Sequence, residues 1–177
     1  SSLYHYESSE ISKIDMDSLE VISTFRPIMG LNFKQENMLS ASNNGLVTHY
    51  QSAHSHTFRV FDFASGYVLF DSAEFHGSSH LSFDGQLLLM ANRIYSNSGD
   101  SFDFKSEFEF QNVVYCRFIN SSNDILIATE SEVLIYSLAA NSVIKSFNEV
   151  IPKESYVFFE PSNMLLGFRK NDGWVFI

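Results

Sequence analysis

A single cysteine, Cys116, excludes any disulfide within this chain. It sits in an apolar run, where it reads as a small buried hydrophobe. A reducing intracellular compartment, cytoplasmic or nuclear, is therefore the expected home. Proline occurs three times, at Pro27, Pro152 and Pro161, each at a place assigned to a loop or turn. That placement fits its exclusion from central strands. The eight glycines are scattered singly, so no Gly-rich loop is present to cradle a phosphate. The longest apolar runs are about five residues, far short of the roughly 20 needed to span a bilayer. No membrane span is expected. Bases are also few: 11 Lys and Arg against 21 Asp and Glu give a net charge of −10. A negative surface repels phosphate backbones and argues against nucleic acid as a direct partner. No Met stands at position 1 and no signal-like segment follows Ser1. The expectation is a processed, excised or incompletely represented chain.

What is present is apolar and aromatic. Hydrophobic residues make up 45% of 177 and charged residues 18%, with 18 Phe. Such a chain is globular and long enough for one domain with a sizeable core. Aromatic side chains suit pleated, half-buried surfaces, which favours an all-β fold. A unit of two short apolar stretches around a polar turn recurs four times. It reads Ile28 to Phe33 then Met38 to Ala41; Ser79 to Phe83 then Leu87 to Ala91; Val113 to Phe118 then Ile125 to Ala128; Tyr156 to Phe159 then Met164 to Gly167. With Phe33, Leu81, Phe118 and Phe159 equivalent, the spacings are 48, 37 and 41 residues. Short strands at a period near ~40–45 residues mark propeller blades.

A second element, strand–turn–strand, alternates with the first. Its copies are Ile11–Met16 with Leu19–Phe25, Phe58–Phe63 with Tyr67–Phe70, Arg93–Tyr95 with Phe102–Phe110, and Glu132–Leu138 with Ser142–Phe147; Trp174–Ile177 begins another. Gly, Asn, Asp and Ser fill the turns. The expected organisation is a single domain with a leading strand at 11–16. Four sets of four strands follow, at about 20–63, 67–96, 102–138 and 142–177, each an outer strand followed by three more. The polar segment Asn43 to Thr57 reads as a long inter-strand loop with room for a short strand at Leu46 to Tyr50. The first ten residues read as a loop, or as a strand without an identifiable partner.

Phe58-Arg-Val-Phe-Asp-Phe-Ala-Ser-Gly66 resembles the strand-and-turn signature of WD-repeat proteins, with Phe61-Asp62 where Trp-Asp commonly stands. Leu81-Ser-Phe-Asp-Gly85 and Phe159-Glu-Pro-Ser-Asn163 resemble that family's turn between inner strands. The resemblance spans about Ile11 to Ile177 and implies a β-propeller of four-stranded antiparallel blades, about four of them here. No copy holds a true Trp-Asp or Gly-His pair, so hydrophobic packing is expected in place of the family's His–Asp network. The family's usual seven blades, and the apolar end faces that a partial ring would expose, imply a larger ring.

No set of side chains reads as a catalytic, cofactor or metal site. His49, His54 and His56 lie close together in the polar segment, but no Cys or acid accompanies them, and a solvated loop is the plainer reading. His76 and His80 are four apart, a spacing that suits ligands only on a helix. Asp15 with Asp17, and Asp100 with Asp103, sit in turns, where acids cap more often than they catalyse. Cys116 has no neighbouring His, and no Gly-x-Ser-x-Gly elbow exists. Asn171 to Trp174 lacks the spacing of a sialidase-type Asp-box. Arg26, Arg59, Arg93, Arg117 and Arg169 recur near strand ends. Around a propeller channel such side chains could meet an acidic peptide or phosphate, although solvated or paired arginines are the plainer reading. The resemblance implies a non-catalytic protein–protein interaction scaffold or recognition subunit of a multiprotein complex, such as a substrate receptor or assembly platform. The alternative is a propeller hydrolase or lactonase with its site at the channel mouth. A closed four-bladed module of the matrix-binding kind is a third reading; such modules are usually latched by a disulfide, which one cysteine cannot supply within this chain.

Overall fold

A computed structural model describes residues 2–7, 10–25, 39–51, 57–73, 79–119, 123–148, 157–160, 165–170 and 173–176. Those residues form eighteen strands and no helix. The strands make five antiparallel sheets, each a meander of consecutive strands. Sheet I holds β1 (Ser2–Glu7), β2 (Glu10–Asp15) and β3 (Val21–Phe25). Sheet II holds β4 (Leu39–Ala41), β5 (Leu46–Gln51), β6 (Thr57–Asp62) and β7 (Val68–Ser72). Sheet III holds β8 (Ser79–Leu81), β9 (Leu87–Met90), β10 (Arg93–Asn97) and β11 (Phe102–Glu107). Sheet IV holds β12 (Val113–Phe118), β13 (Ile125–Thr129), β14 (Val133–Ser137) and β15 (Ser142–Phe147). Sheet V holds β16 (Val157–Glu160), β17 (Leu165–Lys170) and β18 (Gly173–Phe176).

The apolar pattern explains why the sheets stack in chain order. In β9 every residue from Leu87 to Met90 is buried, and in β13 every residue from Ile125 to Thr129. A strand buried on both faces must sit between two other layers. Successive side chains point to opposite faces. Leu88 and Met90 accordingly join Leu46, Phe58, Val60 and Leu69 of sheet II. Leu87 and Leu89 join Cys116, Phe118, Ile125 and Ile127 of sheet IV. The opposite face of β13 supplies Leu126 and Ala128, which pack with Leu166 and Phe168 of sheet V. Ile11 of sheet I packs with Val47 and Phe61 of sheet II. Four apolar seams thus join five sheets face to face.

The sheets sharpen three expectations. The expected sets are offset by one strand from the hydrogen-bonded sheets. The outer strand placed at the head of each set pairs with the preceding strands: β7 joins β6, and β15 joins β14. The segment read as a long loop with room for a short strand at Leu46 to Tyr50 holds that strand as β5, a central strand bonded to both β4 and β6. Its Leu46, Val47 and Thr48 are buried. The leading strand is the middle of sheet I, and its partner is the opening stretch, with Ser2 opposite Asp15 and Glu7 opposite Glu10. Pro27, Pro152, Pro161 and the Ile28–Phe33 stretch lie outside the described residues.

The first strands of sheets II, III and IV converge, since β8 touches β4 on one side and β12 on the other. Turns reinforce the seam between sheets II and III. In the β8–β9 turn, the Leu87 N–H donates to Ser82 Oγ at 2.8 Å, and the Ser82 hydroxyl donates to Asp84 at 2.7 Å. Ser42 plays the same part in the β4–β5 turn, accepting from the Leu46 N–H at 3.1 Å and bonding Asn44. The two turns then join: the Asn43 N–H donates to the Phe83 carbonyl at 2.8 Å. Asn44 lies over Gly85, where a Cβ would stand 2.3 Å from Asn44 Oδ1. Gly85 also has φ of 69°, a left-handed conformation that disfavours other residues.

Candidate functional site

Convergence of β8 and β12 brings together polar side chains from two sheets. Both strands are the first of their sheets, so each has an edge with no further strand of its own sheet beyond it. His80 stands opposite Leu89 in the β8–β9 register, on the face turned toward sheet IV. Its ring lies 6.2 Å from the ring of Phe118. Arg117, the neighbour of Phe118, stands opposite Leu126, and Tyr115 stands opposite Ala128. Tyr115 and Arg117 are linked by a side-chain hydrogen bond. His80, Tyr115 and Arg117 are all half-buried. Two enclosed atoms of this group, His80 Nδ1 and Arg117 Nε, have no hydrogen-bond partner.

The electrostatics follow from burial and from the guanidinium. Burial, then the positive charge of Arg117, holds the His80 imidazole down to about 3, against an ordinary 6.5; a hydrogen bond with the Leu81 backbone acts weakly the other way. His80 is therefore neutral at physiological pH. Burial raises the Tyr115 hydroxyl above its usual 10.0, against the opposing pull of Arg117. The group is thus two neutral rings beside one cation, and none of its members is an acid.

The other arginines differ. Arg59 Nε meets Asp71 Oδ2 at 3.0 Å across β6 and β7. Arg93 Nε lies 3.6 Å from Glu107 Oε2 across β10 and β11. Arg117 makes no ion pair among the described residues. Arg26 lies outside those residues, as do the side chain of Arg169 and the residues Asn171 and Asp172.

The remaining candidates separate in space. His49 falls in β5, though its side chain is not described; His54, His56 and His76 lie outside the described residues. Asp15 caps its own turn, accepting from the Asp17 N–H at 2.8 Å. Asp103 accepts from the Ser101 hydroxyl at 3.1 Å, and Asp100 is exposed. Cys116 is buried in the seam between sheets III and IV. Among the described residues no three His, Cys, Asp or Glu side chains gather closely enough to hold a metal ion. A cleft of about 410 Å³ lies between the start of β12 and the β13–β14 turn, lined by Glu109, Glu130, Glu132 and Phe110 among others. The sequence alone singled out His80 only through its spacing from His76, and did not single out Tyr115. The one signal available was a polar residue flanked by apolar ones in a first strand, shared by His80 and Arg117.

No family model matches this chain, and no curated protein is similar to it at a level that carries an assignment.

Proposed function

We propose that this chain is a WD-like β-propeller, or about four blades of a larger one, acting as a non-catalytic scaffold or recognition subunit of a protein complex. The observation that carries this reading is the serial stacking of three- and four-stranded meanders, with the first strands of sheets II, III and IV converging. Radial repetition of such sheets is the propeller plan. Sheets locked through apolar seams hold their connecting turns in fixed relative positions, and turns held in that way make partner-binding surfaces. Exposed apolar residues on the fourth strands, such as Val143 and Ile144 of β15 and Phe104 of β11, add contact area. Among the described residues no helix is long and apolar enough to cross a membrane. The partners are other proteins, met inside the cell.

Affinity purification of the native full-length protein, followed by mass spectrometry, tests this reading. Reproducible co-purification of stoichiometric protein partners is expected. A native protein that purifies alone and hydrolyses an ester or lactone would overturn it in favour of the hydrolase alternative.

A further inference from the structure

We propose that Arg117, with Tyr115 and His80 beside it, is a recognition site for an oxyanion carried by a docked peptide, a carboxylate or a phosphate. The inference rests on the scaffold reading and names the chemistry of the partner at one place. The arginines of β6 and β10 are each neutralised by an acid on the adjacent strand. Arg117 has no such acid among the described residues, although the chain carries 21 of them. Its Nε is enclosed and without an acceptor. Enclosed polar atoms are nearly always satisfied. An oxyanion would supply the missing acceptor, because a guanidinium offers a planar fork of donors to two oxygens.

The surroundings of the guanidinium suit an anion. The Tyr115 oxygen accepts from Arg117, and its own O–H is a donor to offer an oxyanion. No carboxylate of the group competes for the guanidinium. All three side chains are half-buried, so the site is reachable yet screened from bulk water. It lies at the edges of β8 and β12, where an extended peptide can run alongside first strands. A net charge of −10 repels an acidic peptide over much of the surface, which favours its capture at an arginine that no acid neutralises.

The test uses the full-length native protein and peptide libraries with random flanks. One set fixes Asp or Glu at the centre, one fixes phosphoserine, and control sets fix Asn, Gln or Ser. The wild type is expected to favour an anionic set over its neutral control by about tenfold, the usual effect of one charged hydrogen-bonded pair. Preference for phosphoserine assigns phosphate; preference for Asp or Glu assigns carboxylate. Arg117→Met should abolish the preference, and Arg117→Lys should weaken it, because the ammonium keeps the charge without the fork. A wild type with no anionic preference overturns the inference, whether or not the variants fold. So does a preference that Arg117→Met retains. Protein partners captured unchanged by an Arg117→Met variant would leave the scaffold reading standing while this inference fell.

Discussion

The two seams on either side of sheet III differ in how completely they are bonded. The seam with sheet II joins two apolar faces and closes with turn-to-turn contacts, in which the Asn43 N–H meets the Phe83 carbonyl and Asn44 covers Gly85. The seam with sheet IV has an apolar face of similar make-up, and on its sheet III side His80 Nδ1 has no partner; Arg117 Nε, also without one, belongs to the opposite face of β12. Apolar burial is common to both seams, and each keeps an enclosed polar atom without a partner, Ser79 Oγ toward sheet II and His80 Nδ1 toward sheet IV; only the first is also closed by turn-to-turn hydrogen bonds.

The comparison can be broken at the level of the apolar faces first. Leu88→Ala cuts the seam with sheet II and Leu89→Ala the seam with sheet IV; both side chains are fully buried. Each is expected to lower stability by about 2–5 kcal/mol, read by urea denaturation. Similar losses would show that the two apolar faces are equal partners, whereas a loss at one position alone would dissolve the parallel.

Acid should expose the unfinished seam next. His80 titrates near 3 in the folded chain and near 6.5 unfolded. The unfolded chain therefore takes up the proton first as pH falls. Stability from this group is complete above pH 6.5 and drains away between 6.5 and 3, at up to about 1.4 kcal/mol per pH unit. His80→Leu should flatten that part of the profile in denaturation curves collected from pH 7 to 5. An unchanged slope in the variant would assign the acid sensitivity to other groups.

Gly85→Ala tests the finished seam. The added methyl meets Asn44 and the backbone is left-handed there, so a loss of roughly 1–2 kcal/mol is expected in thermal melts. A neutral result would mean that Asn44 moves aside and that the turn contact contributes little. Least of all should follow from Arg59→Gln, which opens the exposed pair with Asp71; a change of ~0–1 kcal/mol is expected, shrinking in high salt. A larger effect would remove the distinction drawn between this paired arginine and Arg117.

Much of the strand content was legible from alternation and turn residues, because β9, β13 and β14 advertise themselves as apolar runs bounded by Asn, Ser, Gly or Asp. β5 was harder. Thr48, His49 and Gln51 give it a polar cast, yet its neighbours on both sides of the sheet bury Val47 and Thr48. Nor does a fourth strand reveal which neighbour it pairs with: Ser142–Phe147 joins β14 through long-range hydrogen bonds that no local pattern encodes. The candidate site was legible only in part. Arg117 stood among several equivalent arginines, and its distinction lies in lacking an acid across the strand, a property of register. His80 comes from another sheet, 37 residues away, and only the convergence of β8 and β12 gives it meaning.

Cys116 turns the seam between sheets III and IV into a gauge. It is the sole thiol in the chain, and it is buried among Leu89, Phe118 and Ile127. A thiol-reactive dye can reach it only when those sheets part, so the rate of labelling reports how often that seam breathes, without any engineered probe.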